Sequence, residues 1–445
     1  MTLDGFSAVV DPATTGNEMY RFVRELYPLC RSITGNGVRK TLDEIKTHIP
    51  ITVHEIPSGI QVLDWTVPKE WNIEGAYIKN LNGDKIVDFV NSNLHVVGYS
   101  VPVKQTISLE ELKGHLFVDP EHPDWVPFRA SYYKANWGFC LSHNQLMSLT
   151  DDEYEVCIDS SLQAGFLTYG EYYLPGECSD EVLISAHICH PSLANDNLSG
   201  IAVVTFIAKL LRNFPLHYSY RFLFIPSTIG SISWLALNEQ HLSKIKHGLV
   251  IACVGDPGKF TYKKTRQAET EIDHAISHTL RHSGRQYDIE DFSPYGYDER
   301  QFCSPGFDLP VGCFMRTPYG KYPEYHTSAD NLDFVRPECL AESLVQCLLA
   351  LAVLEDNEIY VNQNPKGEPQ LGKRGLYRGY PNGGVDDLAL LWVLNLSDGR
   401  HSLLEIAERA ALPFPVIKKS TDALLSCGLL RKTSNHRTGH TVDGV

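Results

Sequence analysis

No apolar run in the sequence approaches the length of a membrane span, and the opening Met1-Thr2-Leu3-Asp4-Gly5 lacks the basic and apolar regions of a signal peptide. Both absences point to a cytoplasmic protein with no membrane partner. The eleven cysteines are scattered, several within apolar runs such as those around Cys253 and Cys347, and the odd count does not suit a complete disulfide framework. Reduced, mostly buried thiols are expected instead. Positive charge is also scarce: 39 Lys and Arg against 54 Asp and Glu leave a formal net charge of −15, which gives no basic footprint for nucleic acid. Internal repeats and low-complexity tracts are absent. With 445 residues, 43% hydrophobic and 21% charged, the chain reads as globular and too long for one ordinary core.

The hydrophobic spacing changes character along the chain. Met19, Phe22, Val23, Leu26 and Leu29 recur with helical period, and Val38, Leu42, Ile45 and Ile49 form a second helical patch. From Ile51 to about Ser160, short strand-like runs are broken by turn formers such as Asn80-Leu81-Asn82-Gly83-Asp84. From about Glu181, strands and helices alternate: 182–186, 220–225 and 249–254 read as strands, 198–211 and 232–242 as helices. That alternation predicts an α/β domain with a largely parallel or mixed sheet, whose sites gather at the carboxyl ends of strands. A Pro-, Gly- and Asn-rich segment, 362–384, reads as a linker. Beyond it, Asp386–Val393, Leu403–Ala410 and Pro415–Leu425 make three short helical patterns before Gly428-Leu429-Leu430, the outline of a winged helix.

The densest chemistry lies in Ser185-Ala186-His187-Ile188-Cys189-His190-Pro191-Ser192-Leu193-Ala194-Asn195-Asp196-Asn197-Leu198-Ser199-Gly200. A strand end presents His187, and a polar turn delivers Asp196 to the start of an apolar helix. Imidazole and carboxylate together suit a borderline-soft divalent metal. A second imidazole, His326, stands in the polar turn Tyr325-His326-Thr327-Ser328-Ala329-Asp330-Asn331. Two imidazoles, a carboxylate and a water make the three-plus-one set of a catalytic zinc site. Against this stand plainer roles: a histidine satisfied in the core, and an aspartate that only caps a helix. His190 and Cys189 compete as ligands, although adjacent strand positions face opposite ways.

The blocks His187 to Gly200, Arg221 to Ile232 and Glu324-Tyr325-His326-Thr327 resemble zinc-dependent aminopeptidases with the phosphorylase/hydrolase-like fold. More closely, the chain is similar to a bacterial family of aminopeptidase-like proteins associated with polysaccharide biosynthesis, which carry a small inserted domain and a C-terminal winged helix. Asp64 to Trp71, Ser131 to Phe139 and Asp298-Glu299-Arg300-Gln301-Phe302-Cys303-Ser304-Pro305-Gly306 extend the similarity over nearly the whole chain. The resemblance implies an N-terminal part of the aminopeptidase-like domain at 1–55, an inserted β-rich domain at 56–160, the metal-binding domain at 161–361, a linker at 362–384 and the winged helix at 385–445. It also implies that His187, Asp196 and His326 bind zinc. Asp256 lies near the strand that supplies another ligand in the superfamily, but a plain Asp-Pro turn serves equally well.

One position departs from the pattern. Aminopeptidases of this kind place paired glutamates after the second strand, the first being the base that deprotonates the attacking water; the resembling family keeps that first one, in a Pro-Glu-Thr-Ile-Gly-Ser-Ile pattern. Here the position is Ser227, followed by Thr228. A hydroxyl is far too weak a base near neutral pH, and general-base assistance contributes about 10²–10⁴-fold. Three explanations compete: an inactive variant, another carboxylate such as Glu324 acting as base, or a different reaction. Glu324 also has a supporting role open to it, orienting His326.

Tyr325 and Arg316 are candidate donors to a developing oxyanion, and Asp298 and Glu299 candidate anchors for a substrate ammonium group. Each has a structural alternative: a pocket wall, or ion pairs such as one with Arg300. Tyr132, Tyr133 and Trp137 either line a cleft or fill a core. Lys418, Lys419, Arg431 and Lys432 make too narrow a basic face for DNA, so the tail is expected to serve contacts within the chain or in a homo-oligomer. The expected function is zinc-dependent hydrolysis of a small peptide or amino-acylated metabolite; the rival is an inactive metal- or ligand-binding scaffold.

Overall fold

The computed structural model describes residues 11–376 and 386–433. Met1 to Gly5, part of the expected linker at 377–384 and the end of the winged-helix segment from 434 lie outside the described residues. Two compact units divide the chain: the described residues up to 270 together with 286–345, and 271–285 together with those from 346 onward.

The first unit begins with α1 (Pro12–Leu26), where Asp11 caps the helix by accepting from Thr14 N and Pro12 takes the first turn. After α2 (Asn36–Lys46) the chain enters an eight-stranded mixed sheet. Its strands are β1 (Thr52–Pro57), β2 (Phe166–Leu174), β3 (Glu181–His187), β4 (Ser219–Ile225), β5 (Ile245–Ile251), β6 (Phe260–Lys263), β7 (Tyr287–Glu290) and β8 (Val311–Met315), in the spatial order β1-β2-β4-β3-β5-β8-β6-β7. Helices α3 (Gly200–Leu211) and α4 (Ile229–Asn238) follow β3 and β4.

Strand β3 is parallel to both neighbours, with His187 opposite Ile225 and Ser185 opposite Val250. All seven of its residues are buried, as its continuous Val182-Leu183-Ile184 run requires of a strand covered on both faces. The carboxyl ends of β3, β4 and β5 therefore lie side by side. Gly200 opens α3 where a side chain has no room: an added Cβ would come within 2.4 Å of the Ile251 carbonyl oxygen and the Asn197 side chain.

Between β1 and β2 the chain builds a four-stranded antiparallel sheet in the order Lys85–Asp88, Glu70–Lys79, Glu153–Gln163, Val103–Ser108, with its own core around Ile78, Phe139 and Val156. Thr52–Pro57 pairs with β2 in the main sheet. One excursion of this inserted part reaches the sheet end of the main domain: Val126 and Ser328 exchange hydrogen bonds, and Phe128 N donates to the His326 carbonyl at 2.7 Å.

Further along the chain come α5 (Glu271–Arg281), the short α6 (Glu299–Phe302) of the first unit and α7 (Pro337–Asp356). In the second unit, α8 (Asp387–Leu396), α9 (Leu403–Ala410) and α10 (Phe414–Ser426) pack beside a three-stranded sheet. Ser402 and Glu405 form a capping box on α9. The winged helix expected from 385 draws its middle strand from further back: Ile359–Asn362 pairs on one side with Asp398–Ser402 and on the other with Leu430–Lys432. A four-residue strand flanked by a Pro- and Asn-rich stretch carries too little periodicity to be told from linker.

Helix α7 departs from the expectation that no apolar stretch reaches membrane-span length. It is long and apolar enough by composition, and 72% of its apolar window is buried inside the structure, as in a core helix.

Candidate metal centre

His187 ends β3, and the chain then runs outside any regular element, extended again at Leu193, before winding through Ala194–Ser199 into α3. Asp196, fully buried in that winding, faces three imidazoles. Its Oδ1 lies 2.8 Å from His187 Nε2, and its Oδ2 lies 3.0 Å from His326 Nε2 and 3.9 Å from His190 Nε2. The His190 ring stands 5.0 Å from that of His187 and 5.1 Å from that of His326. Burial works against charge on Asp196, but the neighbouring imidazoles outweigh it and hold the carboxyl well below its usual range. His190 is pushed down to about 3 by burial, against the opposing pull of Asp196 and with His187, His326 and Arg31 adding to the effect. It is therefore neutral at pH 7 and has a lone pair to offer.

Each part of the cluster is held from behind. The Asp330 carboxylate accepts from Asn195 N at 2.5 Å and Asp196 N at 2.9 Å. Asn195 and Asn197 reach the exit of β5: Asn195 Oδ1 accepts from Gly255 N at 2.8 Å, and Asn197 Oδ1 from Cys253 N at 3.2 Å. Buried Arg31 donates to the carbonyls of Leu26, His190 and Pro191 at 2.7–2.8 Å. His326 adopts a left-handed backbone, φ 57°, under the edge of the Phe128 ring at 5.2 Å and stacked on Tyr325 at 4.0 Å. A non-glycine residue in that region is uncommon and clusters at functional sites.

Residues 20–357 match the model of a family described as a domain of unknown function, DUF4910, and residues 358–432 match a winged helix-turn-helix. The chain belongs to the DUF4910 family. A Clostridium acetobutylicum protein, named as a polysaccharide biosynthesis protein with an aminopeptidase-like domain, is 53% identical over 426 residues, covering 95% of this chain and 98% of its own. A crystal structure from the same organism, named for a peptidase, superposes with a TM-score of 0.92 at 52% identity over 95% of this chain and 98% of that one. The zinc aminopeptidase BSAP from Bacillus subtilis shares the fold at 14% identity and a TM-score of 0.55, over 76% of this chain and 94% of its own. The fold of this DUF4910 chain is therefore aminopeptidase-like, with a winged helix at its C-terminal side.

The structure brings together His187, Asp196 and His326 from the sequence reading, and it sets beside them His190, which that reading named as a competing ligand. Strict alternation of facing holds only within the strand, which stops at His187, so it does not govern His190. His187, His190 and Asp196 offer ligand atoms within 4.8 Å of one another. Tyr325 belongs to the centre through its stack on His326. Glu324 does not join it by hydrogen bonds among the described residues: its backbone carbonyl accepts from Thr327 N and Oγ1, and its carboxylate makes no bond to His326.

Ser227, just beyond β4, donates to Asp298 Oδ1 at 2.9 Å, and Ser231 from α4 donates to the same oxygen at 3.0 Å. Burial raises the Asp298 carboxyl above its usual range, against the opposing pull of His187 and the two hydroxyls. The other two polar candidates are engaged elsewhere. Glu299 forms a buried ion pair with Lys263 at 2.6 Å. Arg316 pairs with Glu342 at 3.2 Å, donates to the Gly258 and Cys339 carbonyls and lies over the Phe260 ring. Asp256 accepts from Asn195 Nδ2, Gly258 N and both Thr317 donors, the work of a loop anchor.

Two neighbours escaped the sequence reading. Tyr297 stacks on His187 at 5.0 Å, and its hydroxyl lies 2.9 Å from the buried Cys253 Sγ. Nothing in local periodicity marks them; only their adjacency to Asp298 and to the end of β5 hints at the site. Of the aromatic cluster, half-buried Tyr132 packs edge-on to Tyr99 at 5.6 Å, Tyr133 is exposed, and Trp137 stacks on His115 inside the inserted domain.

Proposed function

We propose that this chain is a zinc-dependent amide hydrolase of the aminopeptidase type, acting on a small peptide or amino-acylated metabolite. The observation that carries the reading is a buried carboxylate, Asp196, faced by three imidazoles at the carboxyl ends of parallel strands, where α/β folds place their sites. The donor set fits zinc: nitrogen and oxygen, no Lys or Arg paired with Asp196 among the described residues, and a second layer of hydrogen bonds that fixes the ligand loop. His187, Asp196 and His326 would hold the ion, with His190 beside them. Zinc supplies Lewis-acid polarisation of a carbonyl and acidifies water. Tyr325, stacked on His326, would offer a substrate oxygen a donor, and Phe128 from the inserted part stands edge-on to the His190 and His326 rings.

A second reading has one observation in its favour. Ser227 removes the carboxylate expected at the end of β4, so the same fold would serve as a silent metal-binding scaffold.

Zinc content after dialysis, combined with hydrolysis of aminoacyl amides by this chain and by Ser227→Glu, separates the two. The hydrolase reading expects retained zinc and hydrolysis, both abolished in His187→Ala. No zinc under replete conditions, or zinc without hydrolysis in either protein, contradicts it.

A further inference from the structure

We infer that Asp298, acting through the Ser227 hydroxyl, is the proton acceptor that stands in for the missing glutamate; this rests on the hydrolase reading above. The geometry selects Asp298 over every other acidic group near the centre. Asp330 is taken by backbone amides, Asp256 by four donors and Glu299 by Lys263, and Glu324 makes no bond to the cluster among the described residues. Asp298 is 1% exposed, and both hydroxyl bonds fall on Oδ1. Its Oδ2 has no hydrogen bond, and the carboxylate no ion pair, among the described residues. A buried carboxylate with no ion pair at contact distance is costly, and such groups cluster at functional sites; His187 and Arg300 act on Asp298 only from further off.

Ser227 occupies the right place to connect it. Ile225, two residues earlier, is registered opposite His187, so the Ser227 hydroxyl lies at the sheet end that carries the metal cluster. Ser227 already donates its proton to Asp298, which leaves its lone pairs for a proton from the attacking water. In the step, water gives a proton to Ser227 Oγ as the serine proton crosses to Asp298 Oδ1. The water oxygen bonds to the amide carbon. On collapse the C–N bond breaks, and the proton on Asp298 returns through Ser227 to the leaving nitrogen. One water and one amide give one carboxyl group and one amine, with no other reactant.

The test compares zinc-loaded wild type, Asp298→Asn, Ser227→Ala, Ser227→Glu and Asp298→Asn/Ser227→Glu on an aminoacyl anilide, with zinc content measured for each. Asp298→Asn and Ser227→Ala are expected to lower kcat by about 10²–10⁴-fold with KM and zinc held, and Ser227→Glu to restore kcat in the Asp298→Asn background. Independently of turnover, the Asp298 carboxyl carbon resonance in labelled protein is expected to shift in Ser227→Ala. An unmoved resonance, an Asp298→Asn protein as fast as wild type, or one changed only in KM overturns the inference; the last would make Asp298 an ammonium anchor. Activity in Ser227→Glu but none in wild type also overturns it and favours the silent scaffold over the hydrolase reading, whereas an Asp298→Asn protein as fast as wild type leaves the hydrolase reading intact. Inactivity of both fails the hydrolase reading and the inference with it.

Discussion

Arg31 brings a positive charge into a nearly solvent-free position and commits all three of its nitrogens to backbone carbonyls, two of them in the His190-Pro191 segment. Burial lowers its pKa to about 10, so it stays charged at neutral pH. Its planar fork fixes two consecutive carbonyls at once, which a lysine cannot do. Arg31→Lys is therefore expected to keep the charge but loosen His190, weakening zinc binding by about 10- to 100-fold, the usual effect of losing a supporting contact to a metal ligand. Competition with a chromophoric chelator measures it; an unchanged affinity would show that the loop holds itself. His187, Asp196 and His326 were legible in the sequence because imidazole and carboxylate in polar turns stand out from apolar elements. Arg31, Tyr297 and the Ser227–Asp298 pair were not, since 71 residues separate the serine from its partner and only the folded sheet closes that gap.

Among elements, Glu70 ties three together. It opens the long strand of the inserted sheet, receives two bonds from Arg39 of α2 at 2.7 and 2.8 Å, and accepts from Phe166 N at the start of β2. The Arg39 bonds lead in holding its carboxyl down at about 2, below an ordinary value of 4.5. A depressed carboxyl stabilises the fold in full above 4.5, and that contribution is lost as pH falls toward 2, because the unfolded chain takes up the proton first. Glu70→Gln is expected to cost about 1–3 kcal/mol at pH 7, the scale of a hydrogen bond to a charged group, and to flatten the acid side of the stability curve. Urea unfolding at pH 7 and pH 3 checks both; equal losses at the two pH values would place the effect in packing instead. The alternation of strands and helices from β3 to β5 was readable from hydrophobic period. The Ile359–Asn362 strand was not, because its pairing partners lie 37 and more residues away in the winged helix.

For the whole molecule, the central claim is that an aminopeptidase-like domain keeps a zinc centre although its expected glutamate base is absent. On the proposed function the two properties separate physically: ligation would depend on the end of β3 and the His326 turn, and proton transfer on the end of β4. The inserted domain contributes through Val126 and Phe128, which buttress the His326 turn. Anomalous diffraction at the zinc edge from crystals soaked in zinc tests the claim most directly. The account predicts a peak bounded by His187, Asp196 and His326, with His190 alongside, and its loss in His326→Ala. No peak there, or a peak only at surface carboxylates, would contradict it.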